Sequence, residues 1–230
     1  IVPADVAHIR QAFDSRGITM NAVAGHFNMV HPDPAVRQAG LRSLRAIAGA
    51  CAGFGTSLIT LCTGTRNAES MWRPHPDNGT PEAWRDLVAT LETALTIADE
   101  YDVTLAFEPE VNNVIDSPQR ARRIIDEMGS PRLKVVIDGA NIFHKGELPH
   151  MTRILTTAIE LLGKDIVLAH AKDLDHDGDA GHLAAGTGLL DFDLYLKLLR
   201  ESGYNGAIIL HGLTEAQAPG CVAFLRERLG

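Results

Sequence analysis

Six short apolar runs, each followed by a longer amphipathic stretch, constrain this chain more than any other feature. The runs are ITMNAVA (18–24), SLITLC (57–62), VTLAFEP (103–109), LKVVID (133–138), IVLAHA (166–171) and GAIILH (206–211). Helical periodicity falls between them, over 34–53, 80–101, 117–128, 148–163, 191–202 and 216–229, with an opening helix over 3–16. Thr80-Pro81-Glu82 and Asp116-Ser117-Pro118 have the cap-then-proline form that opens helices. Strands that are apolar on both faces belong in a parallel sheet covered by helices. Strict alternation of strand and helix then leaves a doubly wound sheet or a barrel.

The residues at the strand ends choose between the two. An open sheet gathers its site at one switch point, whereas here nearly every strand runs out into side chains that carry chemistry. That is the arrangement of a TIM (β/α) barrel, whose site lies on its C-terminal rim. A closed barrel needs eight strands, and the chain supplies six after an opening helix. The expectation is an α/β barrel lacking its first two strands in the chain as given, or one left open or completed by another chain. At 230 residues and 45% apolar content the chain can bury one large core. Residues 1–230 therefore read as a single domain, with no repeat, low-complexity tract or linker.

Charge and composition exclude other classes. A formal charge of −8 argues against a phosphate-backbone binder, so nucleic acid is not an expected partner. No apolar run approaches the roughly 18 residues of a membrane span, and the opening IVPADVAHIR lacks the layout of a signal peptide. Cys51, Cys62 and Cys221 contain no CxxC pair, which leaves neither a disulfide framework nor a thiolate zinc site. The expectation is a soluble, cytoplasmic protein.

The strand ends themselves carry the candidate chemistry. AFEPE puts Glu108 at the rim with Glu110 two residues on; VVIDGAN does the same with Asp138; VLAHAKD supplies His170, Lys172 and Asp173; the last strand ends on His211. Each alone has a bland reading as a cap or a loop hydrogen-bonding group. On four consecutive barrel strands, however, Glu108, Asp138, His170 and His211 face a common point, and two carboxylates with two imidazoles suit one divalent ion. Lys172 and Asp173 form either a surface ion pair or substrate contacts. Gly186-Thr187-Gly188 reads as a turn into a helix capped by Asp191.

Two long polar loops are expected to shape the pocket. Residues 25–33 offer His26, Asn28 and His31, and residues 62–84 offer Arg66, Trp72, Arg73, His75 and Asn78. Trp72 either stacks on a sugar-like face or staples its own loop. His144 and His150 read as members of a solvated helix face. Asp175, His176, Asp177, Asp179 and His182 could hold a second cation, but they lack EF-hand spacing and read as a lid or a plain loop.

With these residues assembled, the chain resembles the xylose isomerase-like superfamily of TIM barrels, the sugar (phosphate) isomerase/epimerase group that also contains inosose dehydratase and the apurinic-site endonucleases. LAFEPE, SPRLKVVIDGANIF, VLAHAKD and GTGLLDFDLYLKLLRESGYNGAIILHG carry the likeness. The resemblance implies one divalent ion (manganese, zinc, cobalt, iron or magnesium) held by Glu, Asp, His and Glu, positions occupied here by Glu108, Asp138, His170 and His211. The fourth position departs from the family, with His211 in place of the second glutamate. Asn141 stands where many members have a histidine, and no arginine precedes the Gly-x-Gly loop.

What the resemblance implies for function is proton transfer next to a carbonyl, through an enediolate, in a small sugar or polyol substrate, with or without a phosphate. Glu108 is the first choice of base, with Glu110 in reserve, and His211 is a ligand or the opposite acid/base partner. Lys172 would steady negative charge, and Glu110, Asn141, Lys172, Asp173, Trp72 and His75 are the expected substrate contacts. The alternatives are an inosose dehydratase-like hydro-lyase and a non-catalytic ligand-binding barrel with a degenerate site. Homo-oligomer formation is compatible with either.

Overall fold

The computed structural model describes residues 1–230. Helices and strands alternate: α1 (Pro3–Asp14), β1 (Val23–Ala24), α2 (Pro34–Phe54), β2 (Leu58–Cys62), α3 (Pro81–Tyr101), β3 (Thr104–Glu108), α4 (Pro118–Met128), β4 (Leu133–Asp138), α5 (Met151–Leu162), β5 (Ile166–Asp173), β6 (Leu183–Ala184), α6 (Phe192–Glu201), β7 (Ile208–Leu210) and α7 (Ala218–Leu229). Every expected strand and helix is present. β1 is the shortest relative to expectation, since only Val23 and Ala24 pair, with Ile59 and Thr60 of β2. β6 was not expected: its two residues pair antiparallel with Lys172 and Asp173, and a stretch that short carries no periodicity to read. No helix is long and apolar enough to cross a membrane.

The chain packs as two compact units, Ile1–Phe107 with Ile125–Lys134, and Glu108–Ile124 with Val135–Gly230. In the first, α2 begins at Pro34, where the Asp33 carboxylate accepts a hydrogen bond from Ala35 N at 2.8 Å. It ends at Gly55, whose φ of 82° suits a residue without a Cβ. α3 opens in the same way on Thr80 and Pro81. Leu41, Leu44, Ala48 and Cys51 of α2 and Leu87, Leu91, Ala94 and Ala98 of α3 recur at three- and four-residue intervals, and all are buried.

In the second unit β4, β5 and β7 run parallel. Val136, Ile137 and Asp138 pair with Leu168, Ala169 and His170, and Ala169, His170 and Ala171 pair with Ile208, Ile209 and Leu210. Burial of Leu155, Ala158 and Leu162 from α5 and of Phe192, Tyr195, Leu196 and Leu199 from α6 covers this sheet. Truncating any of these leucines to alanine is worth about 2–5 kcal/mol. Cys51, Cys62 and Cys221 are all buried as free thiols.

Candidate metal centre

Parallel pairing sets the site. Asp138 and His170 are direct register partners across β4 and β5, so their side chains leave the same face of the sheet at the same level. His170 Nδ1 lies 3.2 Å from Glu108 Oε2 and 3.9 Å from Asp138 Oδ2. One ligand-capable atom from each of Glu108, Asp138 and His170 lies within 4.8 Å of the others.

Two atoms of this cluster, Asp138 Oδ2 and His170 Nδ1, are buried and make no hydrogen bond. Their nearest partners are ionic contacts, Lys172 Nζ at 3.4 Å from Asp138 Oδ2 and Glu108 Oε2 at 3.2 Å from His170 Nδ1. A divalent cation between two carboxylates and an imidazole would satisfy both atoms, so the residues present fit a metal of the type expected from the sequence.

The charges are strongly interdependent. Burial raises the Glu108 carboxyl, but the neighbouring His170 and Lys172 outweigh it and hold the pKa down at about 2. His170 is raised, because the adjacent Glu108 and Asp138 outweigh burial. Asp138, fully buried, is raised because burial outweighs the attraction of Lys172. Lys172 is raised because Asp138, Glu108 and Glu110 together outweigh its own burial. Glu110, buried near Glu108, is pushed up to about 7 by burial and then by that like charge.

His211, the fourth expected ligand, stands beside this group of three rather than within its 4.8 Å spacing. Since His170 pairs with Ile209 and Ala171 with Leu210, His211 falls level with Lys172, two residues beyond His170 along the strand direction. Its ring stacks on that of His170, with centroids 5.3 Å apart and planes 5° apart. His211 borders an open cleft of about 700 Å³ that Thr187, Thr214, Gln217 and His182 also line.

The expected substrate contacts divide by what they touch. Glu110 accepts from Asn113 Nδ2 at 3.1 Å. Asn141 is buried and spans two groups, donating from Nδ2 to Glu108 Oε1 at 2.5 Å and accepting from Gly181 N at 2.9 Å, so it orients Glu108. The surface ion pair of Lys172 with Asp173 is not formed, because both residues are buried with other partners. Lys172 Nζ lies 3.4 Å from Asp138 Oδ2. The Asp173 carboxylate accepts from the backbone N–H groups of Leu174, Gly186, Gly188 and Leu190 at 2.8–3.1 Å, which uses its lone pairs on the Gly-x-Gly loop and leaves none for a ligand.

Trp72 and His75 belong to the first unit. Trp72, 47% exposed, meets His26 edge-on at 5.9 Å, and His75 Nδ1 caps the short turn Pro76–Gly79 by accepting from Asp77 N at 3.2 Å.

Sequence reasoning passed over Tyr195. Its buried hydroxyl donates toward the carbonyls of Ile137 and His170, at 3.1 and 3.2 Å, one residue before Asp138 and at His170 itself. Its place in the apolar stripe of α6 marks it as core, and nothing in the sequence signals the polar end. Asn112 and Asn113, two and three residues after Glu110, were the readable clue to a polar shell around the carboxylates.

The sequence pattern of the xylose isomerase-like TIM barrel matches residues 1–227. The chain belongs to this family. Among curated proteins it is similar to an uncharacterized protein of Methanocaldococcus jannaschii, 26% identical over 160 residues, which are 65% of this chain and 53% of the relative. The chain thus spans about half the length of the curated relative it matches. Among solved structures, a D-tagatose 3-epimerase-like protein superposes with a TM-score of 0.81, at 18% identity, over 99% of this chain and 83% of that one. The IolI protein, solved with a bound zinc atom, superposes with a TM-score of 0.72, at 17% identity, over 97% and 80% of the two chains. At these identities the likeness establishes the fold, and the xylose isomerase-like barrel expected from the strand-end pattern is the fold found.

Proposed function

We propose that this xylose isomerase-like barrel is a divalent-metal-dependent sugar isomerase or epimerase, working in the cytoplasm on a small sugar or polyol-derived carbonyl compound, with residues 1–230 as one catalytic domain. The observation that carries the reading is the Glu108–Asp138–His170 cluster, with Asp138 buried and the other two partly so, whose Asp138 Oδ2 and His170 Nδ1 have no hydrogen-bond partner. The epimerase-like and zinc-bound relatives in the same fold support it.

Glu108, Asp138 and His170 would hold the ion. When bound, the ion supplies Lewis acidity that polarises a carbonyl and makes the neighbouring C–H more acidic. Glu108 takes the proton from that carbon, oriented by the Asn141 amide on its other oxygen. Lys172 offsets the excess negative charge of the three carboxylates around it. His211, at the edge of the open cleft and held largely neutral by burial and by Lys172 and His170, would return a proton to the enediolate only after taking one from the water of that cleft. Asp173 closes the Gly-x-Gly loop, and Tyr195 fixes the strand ends that carry Asp138 and His170.

The test is solvent exchange. Metal-loaded protein in deuterium oxide, incubated with a panel of free and phosphorylated ketoses, is expected to place deuterium on the carbon beside the carbonyl of at least one of them. Glu108→Gln is expected to lower that rate by about 10²-fold or more. No exchange in any sugar with stoichiometric metal bound would exclude isomerase and hydro-lyase together and leave the non-catalytic barrel.

A further inference from the structure

We propose that Asp175, His176 and His182 form a second cation site, for a zinc-, cobalt- or nickel-type ion, that clasps the loop between β5 and β6. It is separate from the buried cluster and rests on no catalytic reading. His176 Nδ1 lies 2.5 Å and His182 Nε2 3.7 Å from Asp175 Oδ1, and the two rings are 5.4 Å apart. One ligand atom from each of the three lies within 4.8 Å of the others. Two imidazoles and a carboxylate are the donors that borderline divalent metals take, and their half-exposed position leaves room for water to complete a tetrahedron.

The loop holds these three donors in place before any ion arrives. Its start and end are drawn together by the antiparallel pairing of Lys172 with Ala184 and of Asp173 with Leu183. Between the donors, Gly178 N donates to Phe143 O at 2.9 Å, and Gly181 N reaches Ala140 O and Asn141 Oδ1 at 3.2 and 2.9 Å. The other two acids of the loop are spoken for: Asp177 Oδ2 accepts from Leu148 N at 2.9 Å, and Asp179 Oδ1 from Asn112 Nδ2 and Ala180 N at 2.5 and 2.8 Å. Asp175 alone faces imidazoles. Preorganised donors lose less entropy on binding than donors on a free loop, and an ion here would tie residues 175–176 to residue 182 across a turn that borders the cleft beside His211.

Zinc binding to chelator-stripped protein, followed by calorimetry, with cobalt absorption as a second probe of a four-coordinate site, tests this. Wild-type protein is expected to bind one more equivalent of Zn²⁺ than His176→Ala/His182→Ala, and each single variant to bind that equivalent about tenfold or more weakly. Glu108→Gln/Asp138→Asn, disabled at the buried cluster, is expected to keep the surface equivalent and to lose it when the two histidine substitutions are added. All three loop side chains are exposed, so the histidine variants are expected to melt like wild type without metal. Equal stoichiometry and affinity in wild type and the histidine double variant would overturn the proposal.

Discussion

Lys172 and Asp138 form an ion pair inside the protein, Nζ to Oδ2 at 3.4 Å, with the lysine 6% exposed and the aspartate fully buried. Removing one partner strands the other charge away from water, at a cost of about 3–5 kcal/mol. Asp138→Ala is therefore expected to destabilise the metal-free protein by about that amount in urea denaturation. Lys172→Met alone is expected to cost a similar amount, and Lys172→Met/Asp138→Ala to cost much less than the two singles together, because neither buried charge remains. Additive single-variant effects would show that the two side chains do not depend on one another.

Asp173 gathers four backbone N–H groups, and Gly188 approaches so closely that an added Cβ would lie 2.3 Å from Leu174 O and 2.6 Å from Asp173 Oδ1. Asp173→Asn removes the charge and replaces an acceptor by a donor facing N–H groups. A loss of about 2–4 kcal/mol is expected, with limited proteolysis appearing between residues 174 and 190. Gly188→Ala is expected to open the same loop. Protease resistance like that of wild type in both variants would contradict this role for the aspartate.

Glu110 gives the metal-free protein a pH dependence of defined sign. Its carboxyl is raised from 4.5 to about 7 by burial and then by Glu108, so the folded state binds the proton more tightly than the unfolded chain. The stability this contributes is complete below about pH 4.5 and disappears as pH rises through 7, a change of order 3 kcal/mol. Glu108, held down at about 2, runs the other way, stabilising above 4.5 and losing that contribution as pH falls toward 2. Chelator-treated Glu110→Gln, followed by urea denaturation from pH 5 to 8, is expected to show a shallower decline than wild type, the remainder coming from His170, whose raised pKa acts in the same direction. Parallel profiles would contradict the assignment.

How much of this was legible depended on what an apolar run encodes. The runs ending in Glu108, Asp138 and His170 marked both their strands and the donors beyond them, because a charged group at the end of a buried strand must meet a partner. They did not encode register. Ile208, Ile209 and Leu210 are all apolar, so no alternation fixes which of them sits beside His170, and the two-residue offset that carries His211 past the cluster appears only in the pairing of β5 with β7. Asp173 and Asn141 read as strand-end polar groups open to a ligand. Their partners are backbone N–H groups of Gly181, Gly186 and Gly188, which leave no trace in side-chain patterns. Tyr195 stayed hidden for the opposite reason, its ring obeying the apolar stripe while its hydroxyl serves β4 and β5.

Anomalous diffraction from crystals grown with manganese or zinc tests the central claim most directly. One peak is expected about 2.0–2.3 Å from a carboxylate oxygen of Glu108, a carboxylate oxygen of Asp138 and a ring nitrogen of His170, with the Lys172 ammonium outside the coordination sphere. Full occupancy elsewhere, with these three side chains free of metal, would contradict it.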